Sequence, residues 1–305
     1  MTRFSNSNSR LERVLARNSG NLVNGIYREA RAKIYKSNAV RAFSRKMTKV
    51  REPEKWVFLV GCYNSGTTIL KRVLESHPDI ACLPSEGVTL TDAFPDLEEG
   101  GYPRMMYANR DKWDRPDIIG TSAALTAKKD WSSWWPKAKR VFLEKSIDHS
   151  IRMPWLEKNF PNSYFIYITR NPYCVGEGIR RRAKPVGDAI DKLGATYSPE
   201  LVAKQWLFLN DKIRNDGRAV SRFHHMSYED LMTKPDEVLI DIFKFLNLKS
   251  LDMLWEEPRL NIGQFSHEII NQNPQSLARI EEEDFLRMSK ILDRRLSEYN
   301  YTNDQ

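Results

Sequence analysis

Trp56-Val57-Phe58-Leu59-Val60-Gly61-Cys62-Tyr63-Asn64-Ser65-Gly66-Thr67-Thr68-Ile69-Leu70 changes character twice along its length. The apolar run 56–60 reads as a strand buried on both faces, as in a parallel sheet. Small polar residues follow in a tight turn, and then Ile69, Leu70, Val73 and Leu74 recur at helical spacing. Strand, short loop and helix together aim several backbone N–H groups at one point, and the helix dipole adds positive potential there. Such a loop cradles an anion. The spacing Gly61-x-x-x-x-Gly66 is that of a Walker loop, but Thr67 stands where that loop carries its lysine. A kinase or ATPase needs the lysine, with Mg2+, to hold the β and γ phosphates. The residues therefore point to a phosphate or phosphosulfate cradle, with a P-loop nucleoside or small-molecule kinase as the alternative. The bland reading is an ordinary glycine-containing turn between strand and helix.

Outward from this stretch, strands and helices alternate. Strands are expected at 80–83, 141–143, 163–169 and 223–226, and helices at 67–76, 149–158, 200–215 and 235–246. This order favours a parallel sheet with helices on both faces. Residues 87–135 read as loop, broken by Pro95, Pro103 and Pro116, and 184–199 as a lid or loop insertion. At 305 residues, 41% apolar and 11% aromatic, the chain can build one large α/β domain. No run reaches the roughly 18 apolar residues of a membrane span, and the start lacks the apolar core of a signal peptide. Cys62, Cys82 and Cys174 are scattered without metal-site spacing, which suggests reduced thiols in a cytoplasmic protein.

The net charge of +8 is uneven. Residues 1–50 hold twelve Lys or Arg against Glu12 and Glu29, so this leader carries +10 and the body −2. The basic balance belongs to an appendage and gives no reason to expect a nucleic-acid partner. Residues 1–10 are rich in Ser and Asn and read as disordered. From Leu11 to Ile34 the apolar spacing predicts basic amphipathic helices. Residues 11–50 would lie peripherally on anionic lipid, contact a partner protein, or pack on the body; the pattern leaves these open.

Ser65-Gly66-Thr67-Thr68 ahead of an apolar helix resembles the 5′-phosphosulfate loop of sulfotransferases that use 3′-phosphoadenosine 5′-phosphosulfate (PAPS). That family usually has Lys or Arg where this chain has Asn64, so one cation on the donor is absent or comes from elsewhere. Three further segments follow in the family's order. Phe142-Leu143-Glu144-Lys145-Ser146 is similar to its Glu-Lys-Ser/Thr-Pro element, with Ile147 in place of the proline. Tyr164–Thr169 followed by Arg170-Asn171-Pro172 resembles its 3′-phosphate site; an arginine at the carboxyl end of a parallel strand is placed to fork onto a phosphate. In isolation Arg170 also reads as one half of an ion pair. Where the family has a serine eight residues on, this chain has Gly178, whose backbone N–H is a substitute donor. Arg180-Arg181-Arg182 add charge to the donor or acceptor site, or form a solvated patch. Tyr228-Glu229-Asp230-Leu231 is similar to the element that sets a tyrosine near the donor nucleotide.

The resemblance implies a PAPS-dependent sulfotransferase of the glycan or tyrosine type, with an α/β P-loop-like fold. Its catalytic domain would be residues 51–305, behind an N-terminal helical extension. Asn64, Ser65, Gly66, Thr67, Thr68, Arg170, Gly178 and Tyr228 would bind PAPS, and Lys145 would contact the sulfuryl group. No metal would be required. The base follows a His77-Pro78-Asp79 turn in related enzymes, which maps it to Glu86; His149 is the second candidate. A catalytically inactive member of the family is a further alternative. The acceptor would be hydroxylated, a glycan or a small molecule. Trp113, Trp131, Trp134 and Trp135 either stack on it or form a satellite core. The segment 261–277 would close over the nucleotide.

Overall fold

The computed structural model describes residues 34–35, 37–113, 119–136, 138–249 and 270–302. Its centre is a five-stranded sheet in the order β2-β3-β1-β4-β5. The strands are β1 (Lys55–Gly61), β2 (Ile80–Cys82), β3 (Val141–Glu144), β4 (Ser163–Thr169) and β5 (Phe223–Ser227), and every pairing is parallel. β1 lies between β3 and β4, with Trp56 opposite Phe142 on one side and opposite Ser163 on the other.

The alternation of side chains along β1 explains why both faces are covered. Val57 and Leu59 point to the face packed by α2 (Thr67–Glu75) and α6 (Pro235–Phe245), through Leu70, Val73, Leu74, Leu239 and Phe243. Trp56, Phe58 and Val60 point to the other face, against Trp131, Leu156 and Phe160. This is the expected parallel sheet with helices on both sides. Burying each such aromatic or aliphatic side chain is worth about 1.5–3 kcal/mol, so the central strand is the best-anchored element.

Two local expectations need correction. The stretch read as loop contains α3 (Ala123–Ser132). Its buried stripe is Ala123, Ala124, Ala127 and Trp131, a helical spacing made faint by alanines. The helix expected at 149–158 is two elements, a 3-10 turn Ile147–Ile151 and α4 (Met153–Asn159). Pro154 lacks a backbone N–H and so sits in the first turn of a new helix.

The four tryptophans at 113, 131, 134 and 135 offer no stacking platform. Trp131, Trp134 and Trp135 are buried in the core beneath the sheet, and Trp113 belongs to a different cluster. Of the leader, the described part docks on the body. In α1 (Asn38–Met47), Arg45 forks onto Asp130 with contacts of 2.9 and 2.7 Å, and the Tyr35 hydroxyl donates to the Asp130 carbonyl oxygen. The expected helices over 11–33 lie outside the described residues. Among the described residues no helix is long and apolar enough to cross a membrane.

Candidate active site

The carboxyl ends of β3, β1 and β4 lie side by side and carry Lys145, the 61–66 loop and Arg170. Ligands gather at this edge of parallel sheets. The Ser150 hydroxyl accepts from the Gly61 N–H (3.0 Å) and donates to the Gly61 carbonyl (3.1 Å). The turn after Lys145 is thereby tied to the start of the loop. The Ser65 hydroxyl donates to the Cys62 carbonyl (2.7 Å), so this side chain closes the loop on itself. Gly66 has φ 102°, and a β-carbon there would lie 2.6 Å from Tyr228 Cδ2. Both conditions demand glycine. Gly66 caps α2 without a side-chain acceptor, which leaves the first-turn amides of Thr67 and Thr68 open to an anion.

Arg170 follows β4 directly. Its Nη1 donates to the Asn64 carbonyl (2.8 Å) and its Nε to Asn273 Oδ1 (2.8 Å), while the guanidinium lies 4.3 Å above the Tyr228 ring. Arg170 is 7% exposed, and its Nη2 is buried with no hydrogen-bond partner among the described residues. Among the described residues it is not half of an ion pair. Asn273 is itself held by Glu229, which also accepts from the Asn171 N–H and the Tyr301 hydroxyl. Tyr228 is fully packed and supports Gly66 and Arg170 from beneath, its hydroxyl accepting from the Gln272 N–H. Thus 270–277 braces the arginine; the rest of the segment expected to close the site lies outside the described residues.

Asn64 has φ 64°, and its Oδ1 accepts from both Arg104 (2.9 Å) and Arg182 (2.6 Å). Gly178 lies in the middle of α5 (Pro172–Arg182), where its amide belongs to the helical ladder. It supplies space beside Asn64 rather than a free donor, which corrects the expected substitution of backbone for serine. The Asn171 side chain caps this helix through the Tyr173 and Cys174 amides.

The third part surrounds Glu86. Each residue of Glu144-Lys145-Ser146 grips the segment 86–88. Glu144 Oε1 accepts from the Gly87 N–H (2.6 Å), Ser146 Oγ accepts from the Val88 N–H (3.2 Å), and Lys145 Nζ pairs with Glu86 Oε1. The Glu86 side chain is 37% exposed and that of Lys145 only 10%, so the carboxylate faces outward over a sunken ammonium. His149 does not share this opening. It is fully buried, with Nε2 2.9 Å from Glu144 Oε2 and the rings of Phe58, Phe94 and Trp131 around it. Its place is beside Glu144 inside the core, away from the opening at Glu86. Burial works against the Glu144 carboxylate, yet His149, the Ser146 hydroxyl and the Gly87 amide hold its pKa below the ordinary value.

Asp148, unnoticed in the sequence, adds a titrating group to this corner. Burial pushes its carboxyl up to about 6, against the pull of Arg152 and His149. The folded state therefore binds this proton more tightly than the unfolded chain does. Its effect is to lower stability as pH rises from about 4 to about 6, and the loss persists above that range. Asp148→Asn is expected to raise unfolding free energy at pH 8 by about 2–3 kcal/mol, with the gain vanishing below about pH 4. Denaturant melts across this range check it; no gain at pH 8 contradicts it. Cys62, at the loop, is raised to about 12 by burial and is no nucleophile at neutral pH.

Among the described residues there is no cluster of metal-ligating side chains. A family model described as the sulfotransferase family matches residues 55–252. The nodulation protein NoeE of Sinorhizobium fredii is 28% identical over 128 residues, which cover 40% of this chain and 30% of that protein. A candidate protein-tyrosine sulfotransferase of Caenorhabditis briggsae is 24% identical over 200 residues, 64% of this chain and 66% of that one. The chain thus spans less than two thirds of the length of both relatives. The crystal structure of a sulfotransferase from Mycobacterium avium superposes with a TM-score of 0.52 at 15% identity, covering 90% of this chain and 86% of the other, and supports the fold.

Proposed function

The chain belongs to the sulfotransferase family, and from that premise we propose that it moves a sulfuryl group from PAPS to a hydroxyl or amine of an acceptor. The observation that carries the proposal is the reach of Arg170 across to the anion loop, with a buried guanidinium nitrogen still lacking an acceptor. Open amides at Gly66–Thr68, a cationic fork beside them and a lysine paired with an outward carboxylate suit a donor that carries anions at both ends. PAPS would supply an activated sulfuryl group on a phosphate leaving group.

In this scheme the amides of residues 66–68 hold the 5′ end and Arg170 the 3′-phosphate. Tyr228 keeps Gly66 and Arg170 in place. Glu86 accepts the acceptor's proton as the new O–S bond forms and the old S–O bond breaks, its electron pair leaving on the 5′-phosphate. Lys145 has three N–H donors. It can keep Glu86 and still neutralise charge on the sulfuryl and bridging oxygens. The role of Glu144 and Ser146 is to fix segment 86–88, and that of His149 is to hold the Glu144 carboxylate from within the core.

The acceptor presents a hydroxyl or amine on a glycan or a small molecule. With Trp113, Trp131, Trp134 and Trp135 buried, these residues do not recommend a sugar over a phenol. The test is incubation with radiolabelled PAPS and a panel of glycans, phenols and amines. Label transferred to one class, without Mg2+, supports the proposal. Mg2+-dependent phosphoryl transfer from ATP would instead favour a kinase.

A further inference from the structure

We infer that Arg104 and Arg182 together replace the loop cation that residue 64 lacks, and hold the 5′ phosphosulfate end of the donor. This rests on the sulfotransferase reading and adds two residues to its site.

The two arginines come from distant parts of the chain and meet at one atom, Asn64 Oδ1. Arg170 reaches the carbonyl of the same residue. Three guanidinium groups thus surround one neutral amide. Among the described residues no carboxylate lies within ion-pair range of Arg104, Arg170 or Arg182. Like charges so placed repel, and a bound dianion relieves the repulsion. Burial lowers the pKa of Arg182, and the positive charges of Arg181, Arg104 and Arg170 lower it further.

The neighbouring arginines behave differently. Arg180 pairs with Asp284 and Arg181 with Glu177, so of the triplet it is Arg182 that turns to the loop. The backbone supports the same conclusion. Arg104 has φ 58° and Asn64 φ 64°, a conformation that is uncommon for residues with a side chain. The Arg104 N–H donates to Glu98 Oε1 (2.9 Å), which helps hold it there. For Arg104, unlike an asparagine, this conformation is strained, and such strain gathers where a ligand is gripped.

Gly178 completes the arrangement. A β-carbon there would stand 3.1 Å from the Asn64 side chain. Two of the departures from the family pattern, Asn64 and Gly178, are therefore in contact and form one local rearrangement. A short amide stands at 64, no side chain at 178, and the positive charge arrives from 104 and 182. Each guanidinium has five N–H donors, so the bond to Asn64 leaves others for an anion.

Calorimetric titration of the full chain with adenosine 3′,5′-bisphosphate and with adenosine 5′-phosphate tests this. Arg104→Ala and Arg182→Ala are each expected to weaken binding about tenfold, and the pair about a hundredfold. The loss should be equal for both nucleotides, because it concerns the 5′ end. Asn64→Lys in the double-alanine background should recover about tenfold, returning a cation to the loop. Arg104→Gln and Arg182→Gln keep a donor for Asn64 Oδ1 while removing charge, and should lose as much as the alanine variants with unchanged melting temperature. Native affinity in the glutamine variants, or a loss confined to the nucleotide bearing a 3′-phosphate, overturns the inference while leaving the sulfotransferase reading intact. A native chain that binds neither nucleotide overturns both.

Discussion

Replacing Glu86 by glutamine is expected to slow sulfuryl transfer about 100- to 10,000-fold, the range associated with losing a positioned general base. Affinity for adenosine 3′,5′-bisphosphate should change by less than about twofold, since the amide keeps an oxygen for Lys145 and leaves the anion loop untouched. The expectation follows from the way segment 86–88 is held. Glu144 and Ser146 fix the Gly87 and Val88 amides, so Glu86 is presented by a rigid backbone and only its side chain is free to move. Near-native turnover in Glu86→Gln, measured at saturating donor and acceptor, would remove this residue from the mechanism and leave the Lys145 pair as a structural contact.

The second large effect is expected at Arg170. Arg170→Ala should weaken binding of adenosine 3′,5′-bisphosphate about 10- to 150-fold, the magnitude of a lost hydrogen bond to a charged group. Adenosine 5′-phosphate should lose far less. Arg170→Lys should not restore the difference, because a lysine cannot reach the Asn64 carbonyl and the Asn273 amide while also forking onto a phosphate. Full rescue by lysine would mean that a point charge suffices and that the fork geometry has no role.

The loop and its flanking strand were legible because they depend on local patterns: an apolar run, a turn glycine and a helical stripe. The parallel sheet followed from alternation of elements, and Lys145, Glu86 and Arg170 could be aligned with family segments short in sequence. What was hidden depends on contacts between distant residues. Arg104 sits in a stretch without periodicity and meets Asn64 across 40 positions. Arg182 is one of three adjacent arginines whose fates differ through their partners, Asp284, Glu177 and Asn64. The brace of Glu229 and Asn273 behind Arg170 joins segments on opposite sides of a stretch outside the described residues. His149 and the tryptophans had suggestive types and positions, but burial decides their roles, and burial is a property of the packed fold. α3 was missed because alanine gives a weak apolar stripe even where it forms a good helix.

The central claim is that one rim of the sheet grips a nucleotide at both anionic ends, the 5′ end on backbone amides and the ribose phosphate on Arg170. Calorimetry on the unaltered chain, with adenosine 3′,5′-bisphosphate and adenosine 5′-phosphate titrated in the same buffer, tests it most directly. The account predicts at least about tenfold tighter binding of the bisphosphate; equal affinity for the two would contradict it.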